Sequence, residues 1–405
     1  MTDIGLVPTP PSSDEVLGGP PDPTVTAPRR TPLSMLMPGS SNPWTGRLAF
    51  VAFAVVLLIV PRVMGNPTDI RQWAEWLCYA MVAVGLDIAW GYGGMLCLGQ
   101  GLFFGLGAYA MGMHLSLENV PKGSLPSFMS LYSDYKELPL LWRPFQSFWF
   151  TAFAAVVVPM VVAGGLGLLV FKRRIRGPFF AILTQATAVI FALVLISNLK
   201  LTSGFNGLTG FTKIFGRNKY RPDTNTWLYM VAAIGLLVVL AVAMKVVRSR
   251  YGKLLQATRD SEDRVRFLGY DPAVVKAVGF MLAAGMAGLA GAIAAPVFGI
   301  VSPGQFDYVP SILMICWVAV GGRGTLWGAV LGALVVNWAR VKVSDARPDD
   351  WLYLQGLLFV VVLAFAPGGI AGVVRSRFQA VQALVRRKQG PAPVDGELIE
   401  LGGTV

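Results

Sequence analysis

Uncharged stretches of roughly 18 to 30 residues recur between residues 48 and 374 of this 405-residue chain. Each is long enough to cross about 30 Å of hydrocarbon as a helix. In lipid a spanning segment must satisfy its own backbone N–H and C=O groups, so a chain with this pattern folds as a helix bundle. The composition agrees, with 54% apolar residues, 14% charged residues and a mean hydropathy of +0.59. A soluble enzyme is excluded. The net charge of +12 would suggest nucleic acid in a soluble protein. Here the basic residues cluster between apolar spans, where they set topology, and no nucleic-acid partner is expected.

The pattern predicts an all-α, polytopic membrane helix bundle of about ten transmembrane helices. Residues 1–43 hold ten of the 27 prolines among Ser, Thr, Gly and Asp, and read as a disordered tail. Spans follow at 47–64, 73–90, 95–117, 148–171, 178–197, 226–244 and 277–306. Two more flank Arg323 within 308–339, and a tenth covers 351–374, ahead of a tail over 375–405. Glycine-rich breaks predict broken or re-entrant helices near 91–98 and 321–324. With both termini inside, 21 of the 34 Lys and Arg fall on inner segments, which is the bias of cytoplasmic loops. The loop 198–225 runs against that bias with five basic residues.

Cys78, Cys97 and Cys316 sit in apolar stretches without metal-ligand spacing, and the single histidine, His114, has no catalytic partner. No catalytic residue, metal or cofactor is therefore expected in this chain. It carries no G-x-x-x-x-G-K-[ST] phosphate loop, so any ATP chemistry belongs to another subunit. Small residues recur every four positions at Gly324, Gly328 and Gly332 and at Ala284, Gly288 and Ala292, a spacing that lets helix backbones approach closely.

Two sets of residues carry functional readings. The segment 248–271 has mixed charge, with Leu254, Leu255, Ala257, Val265, Phe267 and Leu268 interspersed, a break near Asp260 and a closing Gly269. It reads as two short helices that either insert into a groove of a soluble subunit or lie on the membrane surface. The second set comprises Gln100, Thr184, Gln185, Thr187 and Asn337, uncharged hydrogen-bonding residues within spans, with Asp87 as the one carboxylate well inside one. These residues either line a translocation pathway or gate, or bond between helices; Asp87 either gates or holds the GYGG break. A secondary transporter coupled to ions would call for several intramembrane acids, and a membrane enzyme for a nucleophile with its base.

RYGKLLQATRD at 250–260, LGYDPAVVKAVGF at 268–280 and AAGMAGLAGAI at 283–293 resemble the coupling segment and following span of a known class. These are the permease subunits of branched-chain amino acid ATP-binding-cassette importers. GYGGMLCLGQGLFFGLGAYAMG at 91–112 and SGFNGLTG at 203–210 resemble two further motifs of that class, and the resemblance covers nearly all of 73–373. RGPFFAILTQATA, RVRFLGYDP and WVAVGGRGTLWGAVLGALVVNWA are similar to its urea-type branch. The chain departs from the class at Gln100, where a histidine is usual, and at Cys97, where a serine is usual.

The resemblance implies a urea permease, with branched-chain amino acid or short amide import as the alternative and an ion-coupled transporter behind it. It assigns ATPase coupling to Gly252, Arg259, Asp260, Glu262, Arg264 and Gly269. The implied partners are a homologous second permease, two cytoplasmic ATPase subunits carrying ATP and Mg²⁺, an external substrate-binding protein and membrane lipid. The implied location is the bacterial inner membrane, multi-pass, with both termini cytoplasmic.

Overall fold

The computed structural model describes residues 43–346, apart from 64, 122–123, 133–136 and 176, together with 353, 356, 357, 369 and 372. The expected tails and tenth span otherwise lie outside the described residues. The chain divides into two units. In the first, Met1–Val56, the described part is one helical run opening α1 (Pro43–Val63), with Leu48, Val51 and Val55 exposed.

The second unit, Leu57–Val405, holds the rest. In chain order come α2 (Pro67–Asp87), continued by a π-helical turn (Ile88–Tyr92), α3 (Gln100–Glu118), the short α4 (Ser127–Tyr132), α5 (Phe148–Lys172) and α6 (Pro178–Ser197). They are followed by the short α7 (Leu199–Thr202), α8 (Pro222–Arg248), α9 (Arg250–Asp260), α10 (Glu262–Phe267), α11 (Pro272–Phe298), α12 (Tyr308–Gly321) and α13 (Leu326–Ala346). Among the described residues, α1–α3, α5, α6, α8 and α11–α13 coincide with the nine spans expected ahead of the tenth. Five of them, α5, α6, α8, α11 and α13, are long and apolar enough to cross a membrane unaided. Glycine-rich α3 is instead walled in by its neighbours, and most of its residues are buried.

Local chemistry sets the helix starts. Proline occupies the first turn of α2, α6, α8 and α11, where its missing N–H costs nothing. Asp271 caps α11 by accepting the Ala273 N–H at 2.9 Å, and Ser249 caps α9 through the Gly252 N–H at 3.2 Å.

At the core, α11 packs against α2, α3, α5 and α8. The small-residue stripe on α11 explains how so many helices fit around it. Gly288 faces Gly107 of α3 on one side and the Ala155 carbonyl and Pro159 of α5 on the other, so a Cβ there would collide with α5. Ala284 and Ala292 are buried beside it. On α12 and α13, Gly321, Gly328 and Gly332 meet backbone to backbone and close the expected hairpin.

Two features depart from the expected pattern. A two-stranded hairpin, β1 (Lys213–Ile214) and β2 (Arg217–Asn218), sits in the loop before α8, antiparallel with Lys213 opposite Asn218. The side chain of Asn119, just past α3, holds it: Oδ1 accepts the N–H groups of Thr212 at 3.1 Å and Lys213 at 2.7 Å. The second departure is in the apolar run 277–306, expected as one span. The helix stops at Phe298, because Gly299 adopts a left-handed φ of 71° that caps it. Residues 299–307 then run without α-helix, through a bridge between Val301 and Leu208 and a 3₁₀ turn, Pro303–Phe306.

That segment descends alongside α3. Val301 faces Gly112, the Phe306 ring faces Gly105 and the Gln305 carbonyl faces Gly101. At 1.5 Å per residue, Gly112 to Gly101 is about 16 Å. The chain thus re-enters the bundle before α12 begins, which explains why α12 is only 14 residues long.

Candidate functional site

Two polar constellations lie along the same stretch of chain. The first is the junction where the α9–α10 segment meets the ends of α2 and α12. The π-turn opens the end of α2, leaving the Gly91 carbonyl free to accept the Arg259 Nη1–H at 2.7 Å. Asp87, one turn earlier and fully buried, accepts the Gly324 N–H through Oδ1 at 2.7 Å. Its Oδ2 has no partner among the described residues. Gly91 and Gly324 approach so closely that a Cβ on Gly91 would overlap the Gly324 N and Cα. Gly324 turns the α12–α13 hairpin at φ 78°, and Arg323 beside it places its guanidinium 5.3 Å from the Trp90 ring centroid. The structure therefore joins GYGG and GGRG, 230 residues apart in sequence, through Asp87, and joins both to Arg259.

The apolar residues of 248–271 divide into two groups. Leu255 and Val265 turn inward and are buried, Leu255 against Gly93 and Gly279. Phe267, at 91% exposed, and Leu268, at 73%, turn outward at the end of α10. Tyr251 donates its hydroxyl to the Val275 carbonyl at 2.8 Å, and burial pushes that phenol well above its usual pKa, keeping it a donor. Gly252 leaves no room for a Cβ beside the Val246 and Val247 carbonyls. Asp260 is exposed and accepts from Arg259 Nε and Nη2, each at 2.9 Å. Glu262 pairs with Lys276 of α11, both side chains only 15% exposed. Arg264 is exposed, and Gly269 closes α10 with φ 84°.

The second constellation surrounds the start of α3. After the π-turn, residues 93–99 run without helix, so α3 begins at Gln100 beside α6. Gly99 lies against the Thr184 backbone, and Thr184 is six residues, or about 9 Å, along α6 from Pro178. Gln100 is fully buried; its Nε2 donates to the Ala283 carbonyl at 3.3 Å and its Oε1 has no partner among the described residues. The Gly101 N–H donates to Ser311 Oγ at 3.3 Å. Both amide atoms of Gln185, and Oε1 of Gln305, are buried without a partner among the described residues. The 303–306 turn packs on both α3 and α6.

Of the residues predicted for the pathway, the structure brings Gln100 and Thr184 together at Gly99, with Gln185 next to Thr184 on α6, and leaves Thr187, Asp87 and Asn337 outside that set. Thr184 bonds back to Ala181 of its own helix at 2.8 Å, and Thr187 likewise to Leu183. Asp87 belongs to the first constellation. Asn337 is buried on α13 and donates to Ala333 one turn back, at 2.8 Å. Sequence reasoning missed Gln305 and Ser311, which lay in a run read as helix or hairpin. The signal for them was Pro303–Gly304 inside that apolar run.

At the far end of α3, His114 donates Nδ1–H to the Phe145 carbonyl at 2.8 Å and packs against Phe148 and Phe215. It borders a cavity of about 830 Å³ that also touches Glu118, Glu137 and Arg143.

A bundle of this kind, with its helical pattern interrupted at 93–99 and 299–307 and a polar segment seated on its end, has the build of a multi-pass membrane permease. Residues 74–363 match the family described as the branched-chain amino acid transport system permease component, and the chain belongs to that family. The permease protein LivM of the high-affinity branched-chain amino acid transport system of Escherichia coli K12 is 26% identical over 366 residues, covering 85% of this chain and 79% of LivM. BraD, the corresponding permease protein of Pseudomonas aeruginosa, is 23% identical over 301 residues, covering 73% of this chain and 91% of BraD. The autoinducer 2 import system permease protein LsrC of Yersinia pseudotuberculosis is 27% identical over 240 residues, covering 53% of this chain and 66% of LsrC. No solved structure gives a significant match.

Proposed function

We propose that the chain is the permease subunit of an ATP-driven importer whose solute is small, neutral and rich in N–H groups, urea foremost. The observation that carries this reading is the polar set at the start of α3. Gln100, Thr184, Gln185, Gln305 and Ser311 are all amides or hydroxyls, and the acid nearest them in sequence, Asp307, is exposed and meets Ser311 through its backbone carbonyl. A zwitterion crossing there would leave its ammonium and carboxylate unmatched in a low dielectric. Urea asks only for neutral hydrogen bonds.

In this reading the face bearing 250–271 is cytoplasmic. Phe267 and Leu268, rimmed by Asp263, Arg264 and Arg266, anchor in a groove of a soluble ATPase that carries the ATP and Mg²⁺. A second permease completes the pathway, and an external binding protein delivers the solute to the end near His114. Both termini are cytoplasmic, in a bacterial inner membrane. A second reading, import of a branched-chain amino acid, is favoured by the similarity to LivM and BraD, permease proteins of high-affinity branched-chain amino acid transport systems.

The test is uptake of labelled urea and labelled leucine by the complete complex in vesicles, with and without ATP. The proposal expects ATP-dependent urea uptake, and none in vesicles holding this subunit alone. Leucine uptake without urea uptake would establish the second reading instead.

A further inference from the structure

Two breaks in the bundle meet at the same depth. The first, residues 93–99, delays the start of α3 until Gln100, and the second, residues 299–307, brings Gln305 down beside Gly101. Non-helical backbone inside a membrane protein persists only where protein buries it or where it borders a wet cavity. Buried side-chain polar atoms almost always have a partner, because leaving one without costs about 1–3 kcal/mol of desolvation. Here four such atoms lack one among the described residues: Oε1 of Gln100, both amide atoms of Gln185 and Oε1 of Gln305. Gln100 is fully buried, and its Nε2 already donates to the Ala283 carbonyl, which leaves the oxygen as its free atom.

The chemistry of those atoms is one-sided. Three are carbonyl oxygens, which accept, and one is an NH₂, which donates. The hydroxyl of Ser311 is already engaged by the Gly101 N–H, and that of Thr184 by the Ala181 carbonyl. A solute that satisfies such a set offers several N–H groups and one carbonyl, as urea and primary amides do. A carboxylate would need a second donor.

We propose that Gln100, Gln185 and Gln305 form a solute-binding site within the bundle, where the two breaks meet, and that their free amide oxygens receive the N–H groups of a urea or primary amide in transit. This rests on the reading of the chain as a permease for a neutral solute and assigns that solute a place.

The experiment uses the complete complex in proteoliposomes and compares Gln185→Leu, Gln305→Leu and the wild type. Each substitution removes free amide atoms while keeping a side chain of similar bulk. Loss of one neutral hydrogen bond predicts a half-saturation concentration for labelled urea raised roughly five- to tenfold. Competition by N-methylurea and tetramethylurea reads the N–H requirement directly. Wild type should discriminate strongly against tetramethylurea, which has no N–H, and the variants should discriminate less. Urea uptake and discrimination unchanged in both variants would overturn the site.

If wild type moves leucine and not urea, the neutral-solute reading fails by itself. The site is then judged on leucine, and unchanged leucine uptake in both variants overturns the site as well. Should a leucine variant fail to assemble with its partner subunits, Gln305→Cys in a Cys97→Ser background is labelled with a small water-soluble thiol reagent. Modification slowed by urea supports the site. A residue that never reacts, with or without nucleotide, lies in dry packing and refutes it.

Discussion

Removing the Arg259 guanidinium should separate ATP hydrolysis from transport. Arg259 is the one residue of α9 seen to bond the backbone of the α2 break, through Nη1 on the Gly91 carbonyl at 2.7 Å, while Nε and Nη2 hold Asp260. A hydrogen bond from a charged donor is worth about 1.5–3 kcal/mol. The Arg259 side chain is 36% exposed, so solvent screening places the link at the lower end, about 1.5 kcal/mol. That is about a tenfold change in any equilibrium the link biases.

Arg259→Ala should therefore lower the solute imported per ATP hydrolysed about tenfold in proteoliposomes, while the ATPase still co-purifies with the permease. Arg259→Lys should fall between the two, because a point charge cannot hold the Gly91 carbonyl and Asp260 together. Gly94→Ala should reproduce the defect from the other side. Its Cβ would come 2.7 Å from Arg259 Cγ, at a φ of 71° that already disfavours a side chain. A transport-to-ATP ratio unchanged in Arg259→Ala would refute the argument that this contact carries motion.

Other perturbations address the frame around that link. Asp87→Asn should be mild, because the amide oxygen still accepts the Gly324 N–H, whereas Asp87→Leu leaves that N–H unpaired and should cost about 1–3 kcal/mol in thermal unfolding of the purified complex; equal stability of the two would contradict the bond. Glu262→Lys should open the 250–271 segment to protease, and adding Lys276→Glu should close it again, since the swap restores the ion pair. Gly288→Val should sharply reduce the yield of folded protein, because its Cβ meets Pro159 Cγ at 2.6 Å, while Gly165→Val, with open space at its Cβ, should leave the yield unchanged.

What the sequence made legible follows from how far each signal reaches along the chain. Spans are local runs of apolar residues, and the nine expected before the last coincide with helices. The GYGG and GGRG breaks were visible because glycine interrupts an apolar pattern, and the α11 stripe because its spacing lies within one helix. The bond from Asp87 to Gly324 was not legible, since it joins residues 237 positions apart. The sequence leaves two roles open for Asp87, and its bond with the Gly324 N–H appears only in the fold. The split between Leu255 and Val265 on one side and Phe267 and Leu268 on the other was hidden for another reason: α10 has six residues, too few for a helical period to declare a face. At 299–307 apolarity itself misled, because a re-entrant segment buried in protein looks like a continuing span.

The two constellations are ends of one piece of chain. A connection between packed helices needs as few as two to five residues, yet seven, 93–99, separate the π-turn from α3. The excess places the first turn of α3 inside the bundle, beside Thr184, instead of at its edge. Met95 and Cys97 are buried along the way, so the stretch is packed and not slack. At its start, Gly93 and Gly94 touch Leu255 and Arg259 of α9; at its finish, Gly99 touches α6 and Gln100 is held by the Ala283 carbonyl of α11. A displacement of α9 therefore pulls on backbone that ends at Gln100, and no chain of intervening side chains is required to carry it. Had α3 begun directly after the π-turn, the same displacement would move a whole helix against α11, where Gly107 and Gly288 are in backbone contact and leave it no room. The seven residues thus keep the junction joined to Gln100 by backbone alone, outside the close contact of Gly107 with Gly288 at the core.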